Sequence, residues 1–97
     1  MAGEKNFRKC AEALQALGEP TRIRIIDVLR QGATSVGEIA KALNTEIMNV
    51  SHHLGVMRQA GIVESAKDGR FVFYLLRPSF KIGAAIDLGW CKVRIAG

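Results

Sequence analysis

Cysteine is scarce in this 97-residue chain: Cys10 and Cys91 are the two present, far apart and outside any Cys-x-x-Cys pattern. That scarcity excludes a disulfide framework and a four-cysteine zinc site, leaving two ordinary buried thiols as the starting expectation. No run of about 18 apolar residues exists to span a bilayer. Glu4, Lys5, Asn6, Arg8 and Lys9 break up the apolar stretch that a secretory signal requires. A cytoplasmic chain with no membrane partner is therefore expected. Catalytic signatures are missing as well, with no Ser-His-Asp or Cys-His arrangement, no phosphate-cradling glycine loop and no carboxylate pair in a recognisable motif. His52 or His53 could act as a base, but no nucleophile stands near either in sequence. Neither an enzyme nor a cofactor is expected.

What is present suits a small binding domain. With 48% hydrophobic residues, 97 positions can build one modest core, so residues 1–97 read as a single domain. Fourteen Lys and Arg against nine Asp and Glu leave a net charge of +5, spread along the chain without a basic tail. A small, positively charged body has an obvious polyanionic partner in double-stranded DNA.

Hydrophobic spacing divides the chain into helices. Phe7, Cys10, Leu14 and Leu17 recur at three- and four-residue intervals and give a first helix an apolar seam that stops at Gly18. Such a seam requires something to pack on. Glu19-Pro20-Thr21 opens a second helix with proline in its first turn, where the missing N–H costs nothing, and Ile23, Ile25, Ile26, Val28 and Leu29 fill it. Ser35 and Glu38 have capping-box spacing for a third helix facing inward with Val36, Ile39, Ala40 and Leu43. Asn44 tolerates the left-handed geometry of the turn that follows, and Thr45 is placed to cap the next helix.

The fourth helix, about residues 46–60, separates into two faces at 100° per residue, with Ile47, Val50, Leu54 and Met57 expected inside. Met48, Ser51, His52, Gly55 and Gln59 fall on the other side, a strip with donors, acceptors and a methionine but no carboxylate. Short polar side chains and apolar contacts to thymine methyl groups read base edges, and an acid in this strip would meet phosphate repulsion. Met48, Asn49, Ser51 and His52 lie in the N-terminal half, which usually reaches the bases. Downstream, Ile62-Val63 and residues 71–76 are strand-like, and Asp68-Gly69 between them signals a tight turn with Lys67 and Arg70 on its shoulders. A helix-turn-helix over about 35–60 followed by a wing over about 62–76 is thus expected. The DNA-binding candidates are Met48, Asn49, Ser51, His52, Gln59, Lys67 and Arg70. Both faces of the second wing strand are apolar, which calls for helices on one side and partner or terminal segments on the other.

Taken together, Leu17-Gly18-Glu19-Pro20-Thr21-Arg22-Ile23-Arg24-Ile25, Val50-Ser51-His52-His53-Leu54, Arg58-Gln59-Ala60-Gly61-Ile62-Val63 and Gly69-Arg70-Phe71-Val72-Phe73-Tyr74 resemble the ArsR/SmtB transcriptional repressors over residues 7–78. The resemblance implies a mainly α, winged helix-turn-helix fold of about five helices and a two-stranded wing, acting as a homodimer on an inverted-repeat operator and released by an inducer. It also implies dimerisation through about residues 5–17 and 78–95. Relatives that sense arsenite or cadmium place paired cysteines where this chain has Ser35 and Gly37. Those that sense zinc, nickel or cobalt use histidines and carboxylates in the last helix, yet no histidine follows His53 and only Asp87 is acidic there. No metal site is expected. His52 and His53 are adjacent, point about 100° apart and cannot chelate one ion from the same helix; His53 reads as a hydrogen-bonded structural histidine. Some relatives respond to thiol oxidation, which makes Cys10 and Cys91 a candidate sensor pair if the dimer brings them together; otherwise they are packing residues.

Beyond residue 77, Pro78-Ser79 reads as the start of a last helix carrying Phe80, Ile82, Ala85 and Ile86, weakened by Gly83 and Gly89. The alternation over 90–95 suggests a short terminal strand that puts Trp90 at an interface. The alternative to a DNA-binding regulator is a winged-helix module that binds protein, which would show no salt-dependent DNA binding.

Overall fold

The computed structural model describes the backbone of residues 2–77, 86–87 and 92–93 and the side chains of 7–9 and 11–77. Helix α1 runs Ala2–Leu17 and buries Ala13, Ala16 and Leu17, while Phe7 and Leu14 remain 68% and 44% exposed. It stops at Gly18 because Pro20 disfavours helical geometry in the residue before it. Glu19 is accordingly extended, with φ −142° and ψ 127°, and N-caps helix α2, Pro20–Leu29. Its carboxylate accepts the Arg22 backbone N–H at 3.0 Å. Ile25, Ile26 and Leu29 go fully inside, and Ile23 and Val28 stay half-buried.

Ser35 performs two tasks. Its hydroxyl accepts the Glu38 N–H at 3.2 Å and caps helix α3, Val36–Leu43. With Thr34 it also forms strand β1, Thr34–Ser35, an element with too few residues to carry a periodic signal. Asn44 ends α3 in the left-handed conformation, at φ 54° and ψ 51°, and the Thr45 N–H closes back on the Ala40 carbonyl at 3.0 Å. Arg24 of α2 ties down the same helix end, donating to the Leu43 carbonyl at 3.2 Å. Helix α4, Ile47–Gln59, starts from Glu46, whose side chain makes no capping bond. Its C-terminus turns through Gly61 at φ +79°, and Ile62 N–H reaches the Met57 carbonyl at 2.9 Å, the pattern of a Schellman cap.

Strands β2, Val63–Asp68, and β3, Phe71–Leu76, form the wing in antiparallel register from Val63 opposite Leu76 to Asp68 opposite Phe71. Their loop is Gly69-Arg70 rather than Asp68-Gly69. Gly69 alone takes positive φ, +62°, as a type II′ hairpin asks of its first central residue. Arg70 thereby sits on the tip itself instead of its shoulder. The sheet has three strands, not the two expected, in the order β1-β3-β2, with Thr34 opposite Tyr74. Tyr74 and Leu76 turn toward the helices, where they cover a core of Ile25, Ile26, Ile39, Val50, Leu54, Met57, Ile62 and Val63. Each such side chain contributes about 1.5 to 3 kcal/mol by leaving water. On the opposite face Phe71 and Phe73 meet at a centroid separation of 6.3 Å, and Phe71 is 66% exposed.

Four helices occur among the described residues, against five expected. The anticipated last helix begins at Pro78, and most of it lies outside the described residues. Ile86, assigned to that helix from its apolar spacing, instead belongs to strand β4, Ile86–Asp87, paired with β5, Lys92–Val93. The glycines foreseen to weaken the helix and the β-branched Val93 agree with that outcome. Trp90 and Cys91 lie outside the described residues.

Candidate nucleic-acid interface

α3, the Asn44 turn and α4 hold the strip in place through the buried row Val50, Leu54 and Met57, all at 0% exposure. What faces outward follows from helical geometry. Met48 is 82% exposed, and Asn49, Ser51, His52 and Gln59 are exposed too, with Gly55 half-buried among them. Lys67 near the wing tip and Arg70 at its turn are exposed. Among the described residues no helix is long and apolar enough to cross a membrane, and no three His, Cys, Asp or Glu side chains converge as metal ligands.

Three placements differ from the sequence reading. Ile47, assigned to the core, is 53% exposed and joins the outer strip. The Asn49 amide is engaged locally, its Nδ2 donating to Thr45 Oγ1 at 3.2 Å, so Thr45 serves Asn49 and not the helix N-terminus as a cap. His53 is not hydrogen-bonded at Nδ1: that buried atom lies 3.6 Å from Glu19 Oε2, beyond hydrogen-bond length. Its ring meets His52 edge-on at a centroid distance of 5.5 Å.

Gln59 shares the angular position of Met48, but eleven residues at 1.5 Å put it about 16 Å further along the helix axis. There it lines a groove of about 440 Å³ between α1 and α4 with Glu12, Gln15, Arg22 and Val56. The structure therefore brings Ile47, Met48, Ser51 and His52 together on the first turns of α4 and leaves Gln59 beside α1. Glu46, an exposed carboxylate at the N-cap, borders the strip that its own sequence had left free of acid. No periodic signal could have found the Ile47 exposure, because its spacing from Val50 and Leu54 is that of a core residue. The Cys10 side chain and all of Cys91 lie outside the described residues.

Electrostatics beneath the strip centre on Glu19. Partial burial raises its pKa, but N–H groups of Thr21 and Arg22, the nearby His53 and the Thr21 hydroxyl together outweigh that and hold the carboxyl below its ordinary range. Arg22 Nε lies 3.9 Å from the same Oε2.

The arrangement has close counterparts. Residues 17–66 match a family described as a helix-turn-helix domain. SdpR, a transcriptional repressor of Bacillus subtilis, is 36% identical over 62 residues, which are 64% of this chain and 69% of SdpR. A homodimeric winged helix-turn-helix DNA-binding domain from Mycobacterium bovis, described as a possible ArsR-family transcriptional regulator, superposes with a TM-score of 0.70 at 28% identity, covering 72% of this chain and 65% of that one. This chain belongs to the ArsR/SmtB family of winged helix-turn-helix DNA-binding transcriptional regulators. Another structure similar to this ArsR-family chain is the transcriptional repressor BigR from Xylella fastidiosa, with a TM-score of 0.69 at 32% identity, covering 79% of this chain and 76% of BigR. In ArsR-family terms α4 is the recognition helix and β2-β3 the wing.

Proposed function

We propose that the chain is a repressor that works as a homodimer on an inverted-repeat operator in the cytoplasm, with residues 1–97 acting as one winged-helix unit and no residue in a catalytic role. One observation carries the reading: the first turns of α4 present Met48, Ser51 and His52 to solvent, while the same helix is anchored by the fully buried Val50, Leu54 and Met57. A rigid base and a free outer edge are what insertion into a major groove requires. Met48, Ser51 and His52 choose sequence, with Asn49 restrained at the edge of the group and Gln59 in a peripheral place. Lys67 and Arg70 of the wing contact flanking phosphates.

Dimerisation is supported by α1. Phe7 and Leu14 share one stripe seven residues apart, both exposed in a single chain, while Ala13, Ala16 and Leu17 satisfy the core. A second copy meeting residues 5–17, together with 78–95, would cover that stripe and present two recognition helices about 34 to 36 Å apart. Fluorescence anisotropy with genomic duplex fragments over a salt series tests the proposal. Tight, steeply salt-dependent binding to a subset of fragments is expected. Absence of any salt-dependent duplex binding would leave the protein-interaction module in its place.

A further inference from the structure

We propose that Ile47 and Met48 act as a pair that reads thymine methyl groups, so that this chain selects operators by a methyl contact at the start of each recognition helix; this rests on the DNA-binding reading above. Adjacent residues in the first turn of α4, they are 53% and 82% exposed, although α4 has a well-formed buried face available to it. Beside them, Asn49 has one of its two amide N–H groups committed to Thr45 Oγ1 at 3.2 Å, and the Glu46 carboxylate can only accept. No Arg or Lys occurs between Glu46 and Met57, so the bidentate guanine contact, the commonest specific one, is unavailable to the part of the helix that enters the groove. The apolar feature on the floor of a major groove is the 5-methyl group of thymine. Ser51 and His52, one turn on, supply hydrogen bonds to the neighbouring pairs.

The test uses the full chain and a duplex selected by it from a random pool, compared with the same duplex carrying uracil for thymine. Uracil pairs identically and lacks only the methyl group. Loss of about fourfold in affinity per contacted thymine is expected for the parent chain, from about 0.8 kcal/mol per buried carbon. In an Ile47→Ser, Met48→Ser double variant the uracil penalty is expected to vanish, with the salt slope unchanged. Both residues are exposed, so the variant should melt like the parent; if it does not fold, the parent comparison decides alone. Equal affinity of the parent for thymine and uracil duplexes overturns the inference while leaving DNA binding intact. An equal uracil penalty in parent and folded variant overturns it too, because other residues would then hold the methyl groups. Failure to bind any duplex at low salt removes the DNA-binding reading itself.

Discussion

Glu19 Oε2 lies 3.6 Å from His53 Nδ1, joining the N-cap of α2 to the buried edge of the recognition helix. Arg22 Nε approaches the same oxygen at 3.9 Å, and these two nitrogens are the buried side-chain polar atoms left without a hydrogen bond among the described residues. One carboxylate oxygen therefore accepts the Arg22 backbone N–H at 3.0 Å and is approached by two side-chain nitrogens at distances too long for a hydrogen bond. Its place is set by Pro20, which forces Glu19 out of helical geometry and into the capping position.

The consequence is an acid-sensitive support under the interface. Glu19 titrates below the ordinary carboxyl value of about 4.5, so its ionised form stabilises the fold above that pH and the contribution disappears as pH falls through the lower folded value. Thermal melts of the parent and Glu19→Gln should differ at pH 7, with the parent more stable, and the gap should narrow as pH falls below about 4.5. A gap that stays constant as the solution is acidified well below that value would show that the charge of Glu19 is irrelevant.

Much of this was legible in the chain itself, for reasons that differ by element. Caps with a specific chemistry announced themselves: Ser35 before Glu38, Pro20 after Glu19 and Asn44 at the turn all took the conformations that their side chains favour. Helix faces followed from spacing wherever a helix had core on that side throughout. Ile47 failed that rule because periodicity gives an angle and not the extent of the core above the first turn. Strand β1 was invisible because two residues have no period, and the wing loop moved by one residue because Asp-Gly and Gly-Arg are both acceptable hairpin centres. Distances such as that between Glu19 and His53 join elements far apart in sequence, where no local pattern reports them.

Two glycines make opposite forecasts. At Gly55, inside α4, an added Cβ meets nothing within 4 Å, so Gly55→Ala should stabilise by about 1 kcal/mol through helix propensity and raise Tm by several degrees. Gly61 holds φ +79°, and a Cβ there would lie 3.3 Å from Arg77 Nη1. Gly61→Ala should lower Tm by a similar amount. Calorimetry on the two variants checks both signs, and a stabilising Gly61→Ala would contradict the Schellman geometry that ends the recognition helix.

The stripe on α1 can be separated from the core beneath it. Leu14 is 44% exposed and Phe7 68%, whereas Ala13 and Ala16 are each 5% exposed. Leu14→Lys should weaken self-association roughly tenfold or more, since the proposed interface would lose two leucines per dimer, while far-ultraviolet dichroism stays that of the parent. Sedimentation velocity over a concentration series measures this. An unchanged sedimentation profile would place the interface elsewhere.

Base reading and phosphate binding are distinguished by how each variant discriminates among sequences. Arg70 sits on the wing turn, so Arg70→Ala should weaken all duplexes alike and reduce the salt slope by about one. His52, exposed on the second turn of α4, should behave differently: His52→Ala is expected to cost about 1 to 3 kcal/mol on the selected duplex and little on unrelated DNA. His52 packs edge-on against His53, so part of any loss could come from a tilt of the helix rather than from a missing contact. Replacing single base pairs in the selected duplex resolves the two. A lost contact makes the His52→Ala chain indifferent to one pair, whereas a tilted helix lowers affinity for every pair in the half-site equally, which would remove His52 from the readers.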